Sequence, residues 1–140
     1  MRRVVYISRA TSEITDQDLN DIIEESRRSN AKIDVTGVLI HHQGRFFQCI
    51  EGPHQKVSEL LEKIERSSKH DQIDVLLNER ITERLFGCWA MASGRYVSAE
   101  QNNRFEKFLN LVDLLNGAAA RRSAAILARD LLAEDIAVAA

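Results

Sequence analysis

Two kinds of apolar pattern alternate along this chain. Strands are predicted over short β-branched or alternating stretches at residues 3–8, 35–42, 45–50 and 73–80, with a short fifth strand at residues 89–93. Between them, apolar residues recur at helical spacing after Thr15 and again after Pro53. Gln43 and Gly44 supply a tight turn that joins the second and third strands into a hairpin.

The predicted helices have recognisable starts. Thr15 is a suitable N-cap, and Asp16 and Asp18 in the first turn complement the helix dipole, so a helix is expected from here to about Asn30. Pro53 ends the third strand and opens the second helix. The apolar stripes of the two helices contain Leu19, Ile22 and Ile23 in the first and Val57, Leu60, Leu61 and Ile64 in the second.

The order β-α-β-β-α-β-β predicts an α+β fold, a ferredoxin-like sandwich with one added strand. Right-handed crossovers place both helices on the same face of the sheet. In this layout the first and third strands are neighbours at the centre. Tyr6 of the first strand and Gln48 of the third then become neighbours if their register and faces agree.

Gln48 is an unusual residue for a strand interior. It stands between the apolar alternates Phe46 and Ile50, and a buried amide needs a hydrogen-bonding partner. Tyr6 is the natural partner in the neighbouring strand. The sequence therefore predicts a polar pair inside an apolar sheet, which is a candidate for ligand chemistry.

The composition changes after about residue 98. A helix is expected to end at Asn116 and Gly117, with an apolar stripe formed by Phe105, Phe108, Leu109, Val112 and Leu115. An Ala-rich helix follows. We expect one domain at residues 1–98 and, at residues 99–140, a helical cap that covers the open face of the sheet or forms a dimer or partner surface.

Composition narrows the class of protein. The 140 residues suit one domain, and a net charge of −2 offers no basic stripe for nucleic acid. No apolar run approaches the ~20 residues of a membrane span, and the chain enters a strand without a signal peptide. Cys49 and Cys88 lack metal-ligand spacing and suit a reducing compartment. We therefore expect a cytoplasmic protein without a metal site.

Several short motifs together resemble the BLUF domain, a flavin-dependent blue-light sensor, in its short single-domain form. The resemblance covers about residues 1–98. No single motif would be specific, but the combination at these spacings is. The matching features are Tyr6 with Ser8, Asn30, TGVLI from Thr36, FFQCIEG from Phe46 to Gly52, Lys69 with His70, and RLFGCWAM from Arg84 to Met91.

The resemblance implies a bound flavin, usually FAD, although FMN and riboflavin share the same ring. It implies that Tyr6 gives an electron and a proton to the excited flavin. Gln48 is implied to bond both Tyr6 and the N5/O4 edge of the flavin and to rearrange after light. Asn30 is implied to bond the O4/N3 edge, and Trp89 and Met91 to relay the change outward.

Lys69 and His70 are implied to occupy a loop near the pyrimidine end of the flavin ring and its side chain. BLUF domains often carry an acidic residue and an arginine just before this histidine, where this chain has Ser67 and Lys69. A lysine keeps the charge of an arginine but lacks its planar bidentate fork. The contacts to the flavin side chain are therefore expected to differ from the family pattern.

The chemistry of the flavin ring supports the same assignment. Isoalloxazine is a flat apolar body with a polar edge, which needs aliphatic walls and a fixed amide. Ile22, Ile33 and Ile64 can supply walls from the two helices and the segment between them, and Phe46 is also expected at the site.

We expect a photoreceptor, not an enzyme, that signals to a separate effector protein and forms a homo-oligomer. Two other classes remain open. An acylphosphatase-like enzyme would need a phosphate-cradling loop after the first strand, but SRATSEIT contains no glycine. A cofactor-free ferredoxin-like module for interaction or oligomerisation would be colourless, whereas a flavoprotein would be yellow.

Overall fold

The computed structural model describes residues 1–87, 92–93, 99–115 and 117–139. It contains strands and helices in the predicted order. They are β1 (Arg2–Ala10), α1 (Asp16–Lys32), β2 (Thr36–His42), β3 (Arg45–Gly52), α2 (His54–Arg66), β4 (His70–Arg80), β5 (Ala92–Ser93), α3 (Ala99–Leu114) and α4 (Ala118–Ala139).

The strands form one sheet in the order β4-β1-β3-β2-β5. β1 is antiparallel to both β3 and β4, and β2 is antiparallel to β3. The short β5 adds to β2 in parallel. The ferredoxin-like layout with one added strand is therefore confirmed, with β1 and β3 as central neighbours.

Three strands are longer than the sequence pattern predicts. β3 runs to Gly52 instead of ending at Ile50. β1 continues to Ala10, because Ala10 pairs with His70 and donates its N–H to the carbonyl of Gly44 at 2.8 Å. β4 begins at His70, three residues before the predicted start at residue 73. The expectation that His70 lies in a loop was wrong, since pairing with β1 makes it the first residue of a strand.

The start of α1 confirms Thr15 as the N-cap. Thr15 Oγ1 accepts a hydrogen bond from the N–H of Asp18 at 3.1 Å, and Asp18 Oδ2 accepts one from the N–H of Thr15 at 3.0 Å. This reciprocal pair satisfies two backbone donors that a helix start leaves without partners. The hydrogen bond from the backbone N–H of Thr15, together with the Thr15 side chain, holds the pKa of the Asp18 carboxyl below its usual value.

Both faces of the sheet are apolar. On one face, α1 and α2 cover a core that includes Val4, Ile23, Val35, Ile50 and Val57. The alternate residues of each strand point to the other face, where the charged pair Arg3 and Glu51 is buried. The buried apolar side chains on that face include Val5, Ile7, Val38, Ile40, Phe47, Cys49 and Leu77.

Glycines occupy two positions of the β2–β3 hairpin that other residues would strain. A Cβ atom at Gly37 would lie 2.1 Å from the carbonyl oxygen of Cys49, so only glycine lets β2 approach β3 there. The turn residues Gln43 and Gly44 both have positive φ, 48° and 75°. This is the backbone twist that two-residue hairpins prefer, and it confirms the predicted turn.

A buried ion pair joins one end of the sheet to the segment after β4. The fully buried Glu51 accepts from Arg3 Nε at 2.7 Å and from the N–H groups of Leu85 and Phe86 at 3.0 and 2.8 Å. Arg3 also donates to Glu79 at 2.7 Å. Strands β1, β3 and β4 are therefore joined to residues 81–87 around the hydrogen-bonded carboxylate of Glu51.

Removing this carboxylate should destabilise the protein strongly. Glu51→Ala leaves Arg3 buried without its main partner, so we expect the free energy of unfolding to fall by about 3–5 kcal/mol. Urea unfolding followed by circular dichroism measures the change. The control is Glu59→Ala on α2, where an exposed carboxylate lies 3.9 Å from Lys56 and should contribute less than about 1 kcal/mol. Equal losses in the two variants would contradict this role for Glu51.

The chain divides into two compact units, Met1–Gly94 and Arg95–Ala140. In the second unit, α3 ends at Leu114, slightly before the predicted stop, and Gly117 has a φ of 100°. Its buried residues include Leu109 and Val112 of the predicted stripe, together with Ala124 and Ala125. Leu111, Leu114 and Leu127 are exposed. Among the described residues, no helix has the length and apolar character needed to cross a membrane.

Candidate functional site

A cavity of about 380 Å³ lies on the helix-covered face of the sheet in the first unit. Helices α1 and α2 and strands β1 to β4 contribute to its wall. This size and a mostly apolar wall with a few polar groups are typical of cofactor sites. The apolar side chains in the wall are Ile22, Ile33, Leu39, Phe46, Leu60 and Ile64.

Tyr6 and Gln48 lie opposite each other in the β1–β3 register, and both line the cavity. The hydroxyl of Tyr6 donates a hydrogen bond to Oε1 of Gln48, and both side chains are buried. The predicted polar pair is therefore present. An amide whose oxygen accepts this bond keeps its Nε2 group as the donor end.

The environment of Tyr6 keeps its phenol protonated. Burial raises the pKa of Tyr6 well above the ordinary value, because an apolar site disfavours the phenolate. The ring of His70 lies nearby, with 6.1 Å between the two ring centroids. Tyr6 is therefore a neutral hydrogen-bond donor at ordinary pH.

His70 is held between β1 and the end of α2. Its Nε2 lies 2.9 Å from the carbonyl oxygen of Ile64, and its Nδ1 lies 2.7 Å from the hydroxyl of Ser8. A carbonyl can only accept, so Nε2 carries a proton, and in the neutral ring Nδ1 accepts from Ser8. These two bonds fix the orientation of the ring in the cavity wall.

Asn30 owes its position to the end of α1. Its backbone carbonyl accepts hydrogen bonds from the N–H groups of Ile33 and Val35, at 3.1 and 3.0 Å, which close the last turn of the helix. The residue is buried and lines the cavity beside the sheet. A side-chain amide, with a donor and an acceptor, is therefore placed at a fixed point of the wall.

The rim of the cavity differs from its interior. It carries hydroxyl and charged side chains, and Lys69 Nζ lies 3.6 Å from Glu25 Oε2. This ion pair joins α1 to the turn before β4. The polar rim residues are Glu25, Ser26, Ser29, Lys63, Ser67 and Lys69.

All nine residues that were predicted to bind a cofactor line this one cavity: Tyr6, Ile22, Asn30, Ile33, Phe46, Gln48, Ile64, Lys69 and His70. Their part in binding stays a prediction. Trp89 and Met91 lie outside the described residues. Within the described part of the chain, no group of His, Cys, Asp or Glu residues is placed to hold a metal ion.

Some wall residues were not predicted as part of the site. Leu39 lies opposite Gln48 in the β2–β3 register, so the alternation of β2 could have indicated it. Leu60 belongs to the predicted stripe of α2 and could have been found in the same way. Glu25 and Lys63 carry no such signal, because only the relative placement of the two helices brings them to the cavity.

Family comparison identifies the class of protein. The model of the BLUF family, described as "Sensors of blue-light using FAD", matches residues 1–92. This match covers well over half of the 140 residues, and the chain belongs to the BLUF family.

Similar curated proteins include the photoactivated adenylate cyclase subunit beta of Euglena gracilis, 32% identical over 91 residues, and that of Euglena longa, 33% identical over 93 residues. These matches cover 64% and 65% of this chain. They cover only 11% of each relative, so this chain corresponds to a small part of those proteins.

Solved structures agree. The dark-state structure of BlrB, a BLUF protein, has a TM-score of 0.74 at 27% identity, over 99% of this chain and 96% of that one. The photo-activated state of BlsA has a TM-score of 0.70 at 31% identity, over 91% and 94%. A bacterial light-regulated adenylyl cyclase has a TM-score of 0.71 at 32% identity, over 81% of this chain and 34% of that one.

The burial of Tyr6 predicts a loss of stability in alkali. As the pH rises, the unfolded chain loses the phenol proton first, near about pH 10. The contribution of Tyr6 is therefore fully present below that pH and is lost as the pH rises through the higher pKa of the folded state. The free energy of unfolding should then fall by up to ~1.4 kcal/mol per pH unit from this group.

Urea unfolding at about pH 9 and about pH 11 measures this effect on either side of the phenol pKa in the unfolded chain. Tyr6→Phe should lose less stability between the two pH values than the unsubstituted protein. The second of the two tyrosines provides the control, since Tyr96→Phe leaves the phenol of Tyr6 in place. Identical pH profiles for the unsubstituted protein and Tyr6→Phe would contradict the assignment.

Proposed function

We propose that this chain is a blue-light photoreceptor, and not an enzyme, that binds a flavin non-covalently in the cavity between α1 and α2. The observation that supports this proposal most directly is the hydrogen bond from Tyr6 to Gln48 inside that cavity, in a chain of the BLUF family. The family description favours FAD, while FMN and riboflavin present the same ring to the same wall.

The cavity wall suits the flavin ring. Ile22 and Ile64 supply aliphatic surface from the two helices, which a flat apolar ring system requires. Asn30 and Gln48 supply amides for the polar edge of the ring. Because both are buried, their hydrogen bonds to a ligand would face little competition from water.

A bound flavin supplies an absorber of blue light and an acceptor for one electron. Tyr6 would be the group oxidised by the excited flavin, and its neutral phenol carries the proton that must leave when the phenol gives up an electron. Oε1 of Gln48 already accepts the hydrogen bond of that phenol, so it is the first acceptor for the proton. The amide of Gln48 can then rotate or change tautomer at little steric cost, which reverses its donor and acceptor ends.

We propose that the altered hydrogen-bond pattern is transmitted to a separate effector protein. The adenylyl cyclase relative is a longer chain, of which this sequence covers 34%. The exposed Leu111, Leu114 and Leu127 of the second unit give it apolar surface suited to an effector or to a second copy in a homo-oligomer. A cytoplasmic location is part of the proposal, because the free thiol of Cys49 suits a reducing compartment.

Illumination tests this function. The purified protein should be yellow, and blue light should shift its flavin absorption slightly to the red, reversibly in the dark. Tyr6→Phe and Gln48→Leu should keep flavin but lose the normal shift, because each removes one end of the hydrogen bond. Absorption spectra before and after illumination measure all three proteins.

Two matched variants control for the substitutions themselves. Tyr96→Phe changes the other tyrosine, and Gln55→Leu changes an exposed glutamine of α2. Both should shift normally. A flavin-loaded protein with no light-induced shift would overturn the proposal, and a colourless protein would favour the cofactor-free interaction module.

The second unit should report the light state. We propose that the light signal reaches residues 99–140 and changes the packing of α3 and α4, because packed elements switch between discrete arrangements. Hydrogen exchange in dark and light should then differ across these residues in the unsubstituted protein and be equal in Gln48→Leu. Equal protection in both states of the unsubstituted protein would exclude this output route.

A further inference from the structure

The rim of the flavin cavity carries charges of both signs, while the interior is apolar apart from the buried polar side chains of Tyr6, Asn30 and Gln48. Lys63 and Lys69 lie on the α2 side of the opening, and Glu25 lies on the α1 side. Of these three rim residues, Lys69 and Glu25 form an ion pair with each other at 3.6 Å. Their side chains are 59% and 67% exposed, so the pair stands at the mouth of the cavity in contact with water.

The rim is also where the flavins differ from one another. Riboflavin, FMN and FAD share the ring, but riboflavin has an uncharged tail. A phosphate monoester such as that of FMN carries about −1.5 to −2 charges at neutral pH, and FAD carries a charged diphosphate. Because the three flavins share the ring, a rim charge that changes their relative affinities must act on the tail.

We propose that the Glu25–Lys69 ion pair sets the preference of this cavity among riboflavin, FMN and FAD. The inference rests on the proposed flavin binding. Lys69 attracts a phosphorylated tail, while Glu25 neutralises that lysine and repels the phosphate. Glu25 therefore reduces the preference for phosphorylated flavins that Lys63 and Lys69 create, and it is the specificity-determining residue.

The size of the effect follows from exposure. In water at low ionic strength, the interaction of two unit charges about 7 Å apart changes a dissociation constant about three-fold. The interaction of a unit charge on the rim with a phosphate, which carries more than one charge, changes it about five-fold. Added salt screens exposed charges, so the effect should nearly vanish at about 0.5 M salt. The buried ring contacts are the same for all three flavins, and they should not respond to the charge at position 25.

The test measures the affinity of the full chain, freed of bound flavin, for riboflavin, FMN and FAD by quenching of flavin fluorescence. In Glu25→Gln, the dissociation constants for FMN and FAD should fall about five-fold at low ionic strength, with that for riboflavin unchanged. In Lys69→Gln, the affinities for FMN and FAD should fall about five-fold relative to the affinity for riboflavin.

The matched control is Glu24→Gln. Glu24 is the neighbouring residue on α1, pairs with Arg27 at 2.7 Å, is exposed and does not line the cavity. Its substitution removes the same charge and should leave the ratio of riboflavin to FMN affinity unchanged. Equal ratios in Glu24→Gln and Glu25→Gln would overturn the inference, because they would indicate an effect of net charge alone.

Two further outcomes separate the inference from the proposed function. If the unsubstituted protein binds riboflavin but Glu25→Gln shifts riboflavin and FMN equally, the inference fails and flavin binding stands. If the unsubstituted protein binds none of the three flavins, both fail. Unchanged riboflavin affinity in Glu24→Gln and Glu25→Gln shows that the cavity has kept its fold, so a changed ratio then reports on the rim.

Discussion

The structure depends on the antiparallel register between β1 and β3. It places Tyr6 opposite Gln48 on the cavity face, and it places Arg3 opposite Glu51 on the other face. A slip of one residue would turn every side chain of a strand to the opposite face, which would bury charges in the cavity and bring the polar pair out of it. One register therefore fixes both the Tyr6–Gln48 hydrogen bond and the buried ion pair.

The cavity combines parts of different rigidity. Its inner end is built on central strands and the last turn of α1, where buried hydrogen bonds hold Tyr6, Gln48 and His70 in one geometry. Its rim is built from exposed side chains of α1 and of the turn before β4. The proposed photochemistry needs a fixed geometry, and its residues lie where packing is dense. The residues proposed to select among flavin tails lie where water screens each charge.

Much of this could be predicted from the sequence. The spacing of apolar residues predicted the helices and strands, because each of them buries one apolar stripe or face. Gln48 was found because it is a polar residue among the apolar alternates of its strand. The rest depends on contacts between distant parts of the chain. Pairing with Ala10 extends β4 to His70, and the packing of α1 beside the turn before β4 brings Glu25 to Lys69. Neither leaves a local signal, because exposed charged residues are ordinary on any helix.

The carboxylate of Glu51 also has a consequence for the order of events during biosynthesis. Its partner Arg3 precedes it along the chain, but two of its donors are the N–H groups of Leu85 and Phe86, which leave the ribosome much later. Until then a nascent sheet of β1 and β3 would hold an incompletely satisfied buried charge, which is costly. The first unit should therefore complete its fold only after residue 86 has emerged, and a chain stalled earlier should remain open to chaperones.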